Sequence, residues 1–258
     1  MAISRAKGNM YDFVSHVHTH LRGKCSHGCK YCFVQSMERM LGCGHYAGDL
    51  RLSEKEFACS YDTPKIRREA LESGFDHPIF FIEHCNDLWS GEVPQEWVDG
   101  VLKQCCDYPL CEFVFQSKNP ERMIHSLEKF PVNCTIGTTC ESDIYWKEVY
   151  NENELLIPPS PVERLAALKF IGEHCFRTFV TVEPILLMES PVDFARMIAD
   201  ANPSFVNIGA DSKGTGLPEP SKQQVLELID ALKTNGVTIR KKSNLERILK
   251  DGKATNNG

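Results

Sequence analysis

The sequence contains no apolar run long enough to cross a membrane, and this absence narrows the class of protein at once. A bilayer-spanning helix needs roughly 18 or more consecutive apolar residues. The 258-residue chain has 42% hydrophobic residues, all in shorter runs, and a mean hydropathy of -0.30. The opening residues MAISRAKGNMYDF also lack the apolar stretch of a signal peptide. These features predict a soluble protein of the cytoplasm with no membrane partner.

The chain also has no low-complexity linker and no internal repeat. Barrels of alternating strands and helices are commonly single domains at this length. We therefore expect one domain over residues 1–250, with an insertion over 42–77 and a disordered tail at about 251–258. The net charge of -6 argues against a protein that coats nucleic acid nonspecifically.

Disulfides are not expected, because the cytoplasm is reducing, so the 12 cysteines need another explanation. Nine of them are scattered and include no C-x2-C pair, which gives little support for a second metal site. We expect these nine to be buried free thiols. The other three, Cys25, Cys29 and Cys32, form a C-x3-C-x2-C motif within HVHTHLRGKCSHGCKYCF.

Short apolar segments alternate with amphipathic helical patterns along the chain. Six strand-then-helix units can be recognised, with strands in YDFVSHVHTH, PIFFIEH, CEFVFQS, VNCTIGTT, RTFVTVE and FVNIGAD, and VTIRKK is a candidate seventh strand. The insertion suggests one further strand and helix. Near-continuous apolar strands joined by helices pair in parallel with right-handed crossovers. The fold class is therefore α/β, a partial (β/α)6 TIM-like barrel of parallel strands with outer helices.

The active site of such a barrel lies at the carboxyl ends of the strands. In this sequence those ends carry the cysteine loop and the segments EHCNDLW, QSKNP, TTCES, VEP and GADSKGTG. Nearly all of them contain polar or charged side chains, where a purely structural rim would need only turn residues. These segments supply the candidate site residues.

Three thiolates from one short loop can hold three corners of a [4Fe-4S] cluster and leave the fourth iron without a protein ligand. An open iron can bind the amino and carboxylate groups of S-adenosylmethionine. Gly28 allows the loop to turn around the cluster, and Tyr31 offers an aromatic wall for the adenine. The spacing therefore favours a cluster that binds a cofactor.

At this point the sequence resembles the radical S-adenosylmethionine (radical SAM) superfamily, whose signature is C-x3-C-x2-C after the first barrel strand. CSHGCKYC satisfies that signature, and HCNDLWSGEVPQEW, FVFQSKNPERM, TIGTTCES, VTVEPIL and NIGADSKGTG look like the later strand ends of an often phage-encoded branch. That branch is distantly similar to spore photoproduct lyase. The resemblance covers the chain from about Tyr11 to Ser221 and, for a phage enzyme, implies the host cytoplasm.

The resemblance implies a reduced cluster that cleaves S-adenosylmethionine, and a 5'-deoxyadenosyl radical that removes a hydrogen atom from substrate. It makes Cys25, Cys29 and Cys32 the cluster ligands and pairs Lys118 with the methionine carboxylate. The other cofactor-binding or pocket-lining candidates, by position, are Tyr31, Asn86, Asp87, Gln116, Ser117, Thr138, Thr139, Glu141 and Asp211. The catalytic candidates are Glu183, Cys140 and Cys85. A carboxylate such as Glu183 that ends an apolar strand needs a cationic or hydroxylic partner.

By analogy with these relatives, the substrate is a nucleic-acid base, such as a hypermodified thymidine in phage DNA. Isomerase, lyase and transferase chemistry stay open. One alternative is repair of a pyrimidine lesion, in which Cys85 or Cys140 returns a hydrogen atom, although each could also be an inert buried thiol. Another is a non-catalytic electron carrier. The implied partners are S-adenosylmethionine, an electron donor such as a flavodoxin or ferredoxin, and DNA or a modified nucleotide.

Two other metal sites compete with this interpretation. Three cysteines could bind zinc if His27 or His20 supplied a fourth ligand. H-x-H at the end of a first barrel strand also opens metal-dependent amidohydrolases, but these need further ligands at later strand ends, where only His84 is placed. We expect the histidines to form a barrel floor or polar wall. Finally, basic residues near the C-terminus, namely Arg240, Lys241, Lys242, Arg247 and Lys250, could neutralise phosphates or could simply be solvated.

Overall fold

The computed structural model describes residues 3–150 and 157–250. Its strands, in chain order, are β1 (Ser4–Arg5), β2 (His16–His18), β3 (Leu21–Arg22), β4 (Arg51–Leu52), β5 (Ile79–Ile82), β6 (Glu112–Ser117), β7 (Cys134–Thr139), β8 (Arg177–Val182), β9 (Phe205–Ile208) and β10 (Ile239–Lys241). Its α-helices are α1 (Phe33–Leu41), α2 (Pro64–Glu72), α3 (Gln95–Cys106), α4 (Pro120–Ile124), α5 (Pro161–Glu173), α6 (Pro191–Asp200), α7 (Lys222–Thr234) and α8 (Glu246–Lys250).

Eight of the strands form one sheet in the order β1-β2-β5-β6-β7-β8-β9-β10. The short β1 pairs antiparallel with β2, and every later neighbour in this sheet is parallel. Because β1 and β10 lie at opposite edges, the sheet is open, as in a partial barrel. This topology confirms the predicted α/β fold class.

The central strands are buried because helices cover the sheet. All six residues of β7 are buried, and so are five of the six residues of β8. The helices begin where the sequence supplies caps: Ser160 and Glu163 form a capping box at α5, and Ser221 and Gln224 form another at α7. Parallel strands with capped crossover helices place all their carboxyl ends at one edge of the sheet.

The structure shortens one predicted element and confirms others. The first predicted strand, YDFVSHVHTH, contributes only His16–His18 to the main sheet, because the preceding residues form a turn in which the amide of Val14 bonds to the carbonyl of Tyr11. The insertion contains the expected strand and helix, β4 and α2, and β10 is the seventh parallel strand.

Across residues 3–150 and 157–250, no helix combines the length and apolar character needed to cross a bilayer. The predicted disordered tail at about 251–258 lies outside the described residues. The division into a single domain over 1–250 stays a prediction.

Candidate active site

A cavity of about 410 Å³ lies where the cysteine loop meets the carboxyl ends of the parallel strands. Most of the predicted site residues line it: Cys25, Cys29, Tyr31, Cys32, Cys85, Asn86, Asp87, Gln116, Ser117, Lys118, Thr139, Glu183 and Asp211. Residues from separate parts of the chain therefore converge on one space, as the strand-end argument predicts.

Three predicted site residues lie behind the cavity wall. The Thr138 hydroxyl donates to the Ser117 carbonyl at 2.8 Å, and the Cys140 thiol donates to the Ser142 carbonyl at 3.6 Å. Glu141 is 3% exposed and joins a buried ion cluster described below. Thr138, Cys140 and Glu141 are thus placed to support the cavity rather than to line it.

The cysteine loop is wound tightly by its own backbone. The amide of Gly28 bonds to the Cys25 carbonyl at 3.3 Å, and the amide of Cys32 bonds to the Cys29 carbonyl at 3.0 Å. Gly28 has a φ of 58°, in the left-handed region that glycine adopts without strain. Cys32 immediately precedes α1, so the helix fixes one end of the loop.

The electrostatics of this loop suit a bound cationic group. Burial raises the pKa of Cys29 to about 11. Burial and the charge of Asp87 raise the pKa of Cys25 further. A bound metal centre would offset this effect, because its positive charge stabilises the thiolates that ligate it.

The three thiols are not arranged as compactly as the sulfur ligands of a single zinc ion. Tetrahedral zinc with bonds of about 2.3 Å brings its sulfur ligands to within roughly 3.8 Å of one another. Among the described residues, a trio of ligand atoms that all lie within 4.8 Å of one another occurs only at His18, Glu56 and Cys59. Cys25, Cys29 and Cys32 therefore do not form a trio compact enough, as they stand, to ligate one zinc ion.

Asp87 ties the cysteine loop to the ends of two strands. Its carboxylate accepts from His27 at 3.0 Å, from the Ser117 hydroxyl at 2.7 Å and from the Lys118 amide at 2.8 Å. Burial opposes ionisation, but the bond and charge of His27 and the bonds of Ser117 and Lys118 lower the pKa of Asp87 to about 2. Its carboxylate is thus used within the chain, so Asp87 orients the site.

Lys118 is a partly buried cation at the cavity wall. Its Nζ lies 5.3 Å from the centre of the Tyr31 ring and 3.9 Å from Glu141 Oε1. Burial opposes the charge, but Cys29 and Glu141 outweigh burial and raise the pKa of Lys118. At 3.9 Å the contact with Glu141 is too long for a good hydrogen bond, so the ammonium retains donors for an anionic ligand.

Glu141 is held by a partner that the sequence interpretation missed. Arg164 donates to Glu141 Oε2 at 3.0 Å, to the Thr139 carbonyl at 3.0 Å and to the Tyr150 hydroxyl at 2.9 Å. Tyr31 also donates its hydroxyl to Glu141. Burial favours the neutral carboxyl, yet Arg164 and Lys118 lower the pKa of Glu141 below its ordinary value.

The signal for this arginine was present in the sequence. Arg164 shares one face of α5 with Leu168 and Ile171, four and seven residues later, and all three are fully buried. An arginine on the apolar face of a helix indicates a buried partner.

Glu183 has the cationic partner that its position demands. Lys242 donates to Glu183 Oε2 at 2.6 Å, while Asn9 and Asn244 donate to Oε1 at 2.7 and 2.9 Å. A Cβ atom on Gly209 would lie 2.6 Å from Glu183 Oε1, so a larger residue there would have to displace this carboxylate from its partners. Asn9 and Asn244 could not be found from the strand-end rule, since neither follows a strand of the barrel directly.

Polar groups on neighbouring strands form the floor of the cavity. Tyr11 donates to Gln116 Oε1 at 2.7 Å and shares a 2.8 Å hydrogen bond with Thr181, and Gln116 donates to Thr139 at 2.7 Å. Burial and the charge of Glu183 raise the pKa of Tyr11, which keeps its hydroxyl protonated. This floor presents hydroxyl and amide groups without a net charge.

Two other predicted residues at the cavity differ in what they leave available. Asn86 donates to the Gly23 carbonyl at 3.3 Å, while its buried Oδ1 has no hydrogen-bond partner among the described residues. Asp211 is fully engaged by its own loop, because Thr215 donates to it at 2.6 Å through both its amide and its hydroxyl. Asn86 therefore offers an acceptor to a ligand, whereas Asp211 shapes the loop.

The alternating histidines form a polar wall between β2 and the insertion, as expected. His18 contacts the Tyr61 hydroxyl at 2.8 Å and Glu56 at 3.2 Å. Burial, together with the neighbouring His20, lowers the pKa of His18 to about 3. Arg22 donates to the other oxygen of Glu56 at 2.6 Å, so a cation of the chain already neutralises that carboxylate.

His20 is held just as firmly within the protein. It contacts Glu83 at 2.7 Å and Gln104 at 2.7 Å through its two ring nitrogens. Neither nitrogen remains for the zinc ion that a three-cysteine site or an amidohydrolase would require. His84 lines the cavity instead, stacked on Phe33 at 4.8 Å, and burial with the charge of Lys242 lowers its pKa to about 4.

Comparison with solved structures identifies proteins of the same fold. Spore photoproduct lyase matches with a TM-score of 0.57 and 15% identity, over 88% of this chain and 64% of the lyase. The same lyase complexed with dinucleoside spore photoproduct matches with a TM-score of 0.57, 14% identity, 88% of this chain and 63% of that one. A radical SAM methyltransferase from Sphaerobacter thermophilus gives a TM-score of 0.59 and 12% identity over 92% of this chain and 69% of that chain.

No family model and no curated protein matches the sequence. The chain spans about 64% of the length of the lyase, so the likeness concerns the part that the two share. At these identities the comparison shows a common fold. The fold is the one found in radical SAM proteins, the superfamily that the cysteine motif resembles.

Proposed function

We propose that this protein is a radical SAM enzyme whose active site is the 410 Å³ cavity. One observation carries the proposal: three cysteines with the C-x3-C-x2-C spacing line a cavity that also contains the partly buried cation Lys118. An electron-transfer protein would need the cysteines but has no use for a neighbouring ligand cavity. The shared fold and the motif support the same conclusion independently.

In this proposal Cys25, Cys29 and Cys32 hold the [4Fe-4S] cluster, and Lys118 binds the carboxylate of S-adenosylmethionine. The free Oδ1 of Asn86 accepts from the amino group of that cofactor. When bound and reduced, the cluster and cofactor would supply a radical able to remove a hydrogen atom from substrate. The chain itself binds and orients the cofactor and the substrate, and the buried walls just described exclude water.

We further propose that the substrate is a nucleic-acid base, such as a hypermodified thymidine in phage DNA. The support is twofold: one structure of the similar lyase contains a dinucleoside photoproduct, and the cavity floor offers neutral hydrogen-bonding groups. Tyr11 and Gln116 could pair with the polar edge of a base without imposing a charge. An electron donor such as a flavodoxin or ferredoxin would reduce the cluster, in the host cytoplasm for a phage enzyme.

Repair of a pyrimidine lesion is the second candidate, and the structure favours Cys85 over Cys140 for the required thiol. Cys85 lines the cavity, whereas Cys140 is fully buried behind it. In such a step the S–H bond breaks, its hydrogen atom passes to a carbon radical of the product, and a sulfur radical remains on Cys85. Hydrogen from 5'-deoxyadenosine or an external reductant must then restore the thiol.

The test begins with anaerobic reconstitution with iron and sulfide, followed by electron paramagnetic resonance with and without S-adenosylmethionine. We expect the cofactor to change the cluster signal, and dithionite then to yield 5'-deoxyadenosine. Both results should be lost in Cys29→Ala and retained in Cys106→Ala, which removes a cysteine of α3. Cys106 is exposed, as are Cys43 and Cys175, so the expectation that all nine scattered cysteines are buried is wrong for these three. If S-adenosylmethionine leaves the cluster signal unchanged, the protein is instead an electron carrier.

For the repair candidate, Cys85→Ser and Cys140→Ser should be compared on a lesion-containing dinucleotide. Loss of repaired product in Cys85→Ser alone is the expected result. Unchanged product in both variants would exclude hydrogen return by either thiol.

A further inference from the structure

A second cavity, of about 440 Å³, lies against the proposed active site. The two cavities share the lining residues Lys7, Asn9, Met10, Tyr11 and Lys242. The two cavities are therefore neighbours, and the exposed Lys7 lies at their shared boundary. The proposed chemistry uses no residue that is unique to the second cavity.

The second cavity is basic in a protein whose overall charge is -6. Its lining contains the four basic residues Lys7, Arg240, Lys241 and Lys242 but only one acidic residue, Asp12. The field there is positive because these charges come together from the N-terminal segment and from β10. Such a concentration attracts anions.

Two of the four cations already have partners. Arg240 donates to Asp12 at 3.1 Å and lies over the Phe205 ring at 4.4 Å, and Lys242 pairs with Glu183 at the boundary between the cavities. For Lys7 and Lys241, which are exposed, no ion pair and no side-chain hydrogen bond is found among the residues that the structure describes. Their ammonium groups are available to a ligand.

We infer that the second cavity binds a phosphate group of a molecule whose reacting part occupies the first cavity. Phosphate is the anion that matches several ammonium and guanidinium donors around one space, because its oxygens accept from all of them. This inference rests on the proposed function for the identity of the first cavity. It makes the substrate a nucleotide or a stretch of polynucleotide, not a free base or nucleoside.

The test is calorimetric binding of thymidine, thymidine 5'-monophosphate and a single-stranded DNA octamer to the full chain. The decisive variant is Lys7→Gln with Lys241→Gln. The matched control is Lys222→Gln with Lys233→Gln, two exposed lysines of α7 that line neither cavity. Assays of 5'-deoxyadenosine are run in parallel on each protein.

We expect the nucleotide or the octamer to bind more tightly than thymidine, and the Lys7 and Lys241 variant to lose about tenfold in that affinity. The control should bind as the wild type does. If the octamer is the ligand, the slope of log K against log salt concentration should fall by roughly 1.4 in the variant, for two lost phosphate contacts on a single strand. If the mononucleotide binds as tightly as the octamer, the phosphate comes from a free nucleotide.

Equal affinities for thymidine, its monophosphate and the octamer would overturn the inference, as would equal losses in the variant and the control. Failure of the proposed function is a separate result, because it appears as absence of 5'-deoxyadenosine while the phosphate effect persists.

Discussion

Replacing Arg164 with methionine should destabilise the protein more than the loss of any exposed ion pair would. Methionine keeps much of the aliphatic stem but removes the charge, so Glu141 stays buried with the neutral Tyr31 hydroxyl and the 3.9 Å contact to Lys118 as its remaining partners. Breaking a buried pair by removing one partner typically costs about 3–5 kcal/mol, because an uncompensated charge is left behind. Arg164 also supplies hydrogen bonds to Thr139 and Tyr150, which places the expected loss in the upper half of that range.

The assay is urea unfolding of the wild type and the variant, with an exposed pair as the matched control. Arg196 contacts Asp193 at 2.8 Å with both side chains 67% exposed, so Arg196→Met should cost less than about 1 kcal/mol. Adding Glu141→Gln to Arg164→Met should recover part of the loss, because the amide is neutral. A loss below about 1 kcal/mol for Arg164→Met would refute the assignment of a buried, coupled pair.

The same substitution should change how stability depends on pH. In the wild type, the pKa of Glu141 is lowered, so its contribution is present above the ordinary carboxyl pKa and is lost as the pH falls through the native value. In Arg164→Met, burial without the arginine raises the pKa of Glu141, so the folded protein gains stability relative to neutral pH on acidification. The difference between the two proteins should therefore shrink from about pH 7 to about pH 4.5, and a constant difference would contradict this account.

Three further predictions follow from other contacts. Asp87→Asn should weaken iron retention against a chelator by about 10–100-fold, because His27 and the cysteine loop lose the carboxylate that holds them. The control Asp62→Asn, which removes a carboxylate from an exposed pair with Arg67, should leave iron retention unchanged. Equal iron retention in both variants would contradict the role of Asp87. Gly209→Ala should lower the free energy of unfolding in urea by about 1–3 kcal/mol, because the added Cβ would press on Glu183. The control is Gly91→Ala, whose Cβ would meet nothing within 4 Å and should change that free energy by less than about 0.5 kcal/mol. The pKa of His84, about 4, should be visible in an NMR titration and should rise in Lys242→Met. Because the unfolded chain binds a proton at His84 more readily than the folded protein does, stability should decrease as the pH falls from the ordinary histidine pKa of 6.5 towards 4. A pKa near 6.5 in the wild type would refute the burial of His84.

Much of the fold was predictable because short sequence patterns identify its strands and helices. The alternation of apolar strands with capped helices specifies parallel pairing, and the position of Lys118 after β6 follows from strand order alone. Contacts across long sequence distances were not accessible in this way. Asn9 and Asn244 meet at Glu183 only because the N-terminal segment and the segment after β10 close over the same strand ends. The role of Glu141 likewise depended on Arg164, whose helix face indicates burial but not its partner.

The histidine wall bears on how this chain could be divided or shortened. The segment over 42–77 interrupts the alternation of strands and helices, as a dispensable insertion would. Yet Glu56 and Tyr61 from that segment satisfy His18 and Arg22 inside the protein. Excising the segment would leave the buried ring of His18 without these two contacts and the Arg22 guanidinium without its carboxylate, at about 1–3 kcal/mol each and more for the charged arginine. A minimal version of the protein therefore has to keep this segment together with the barrel.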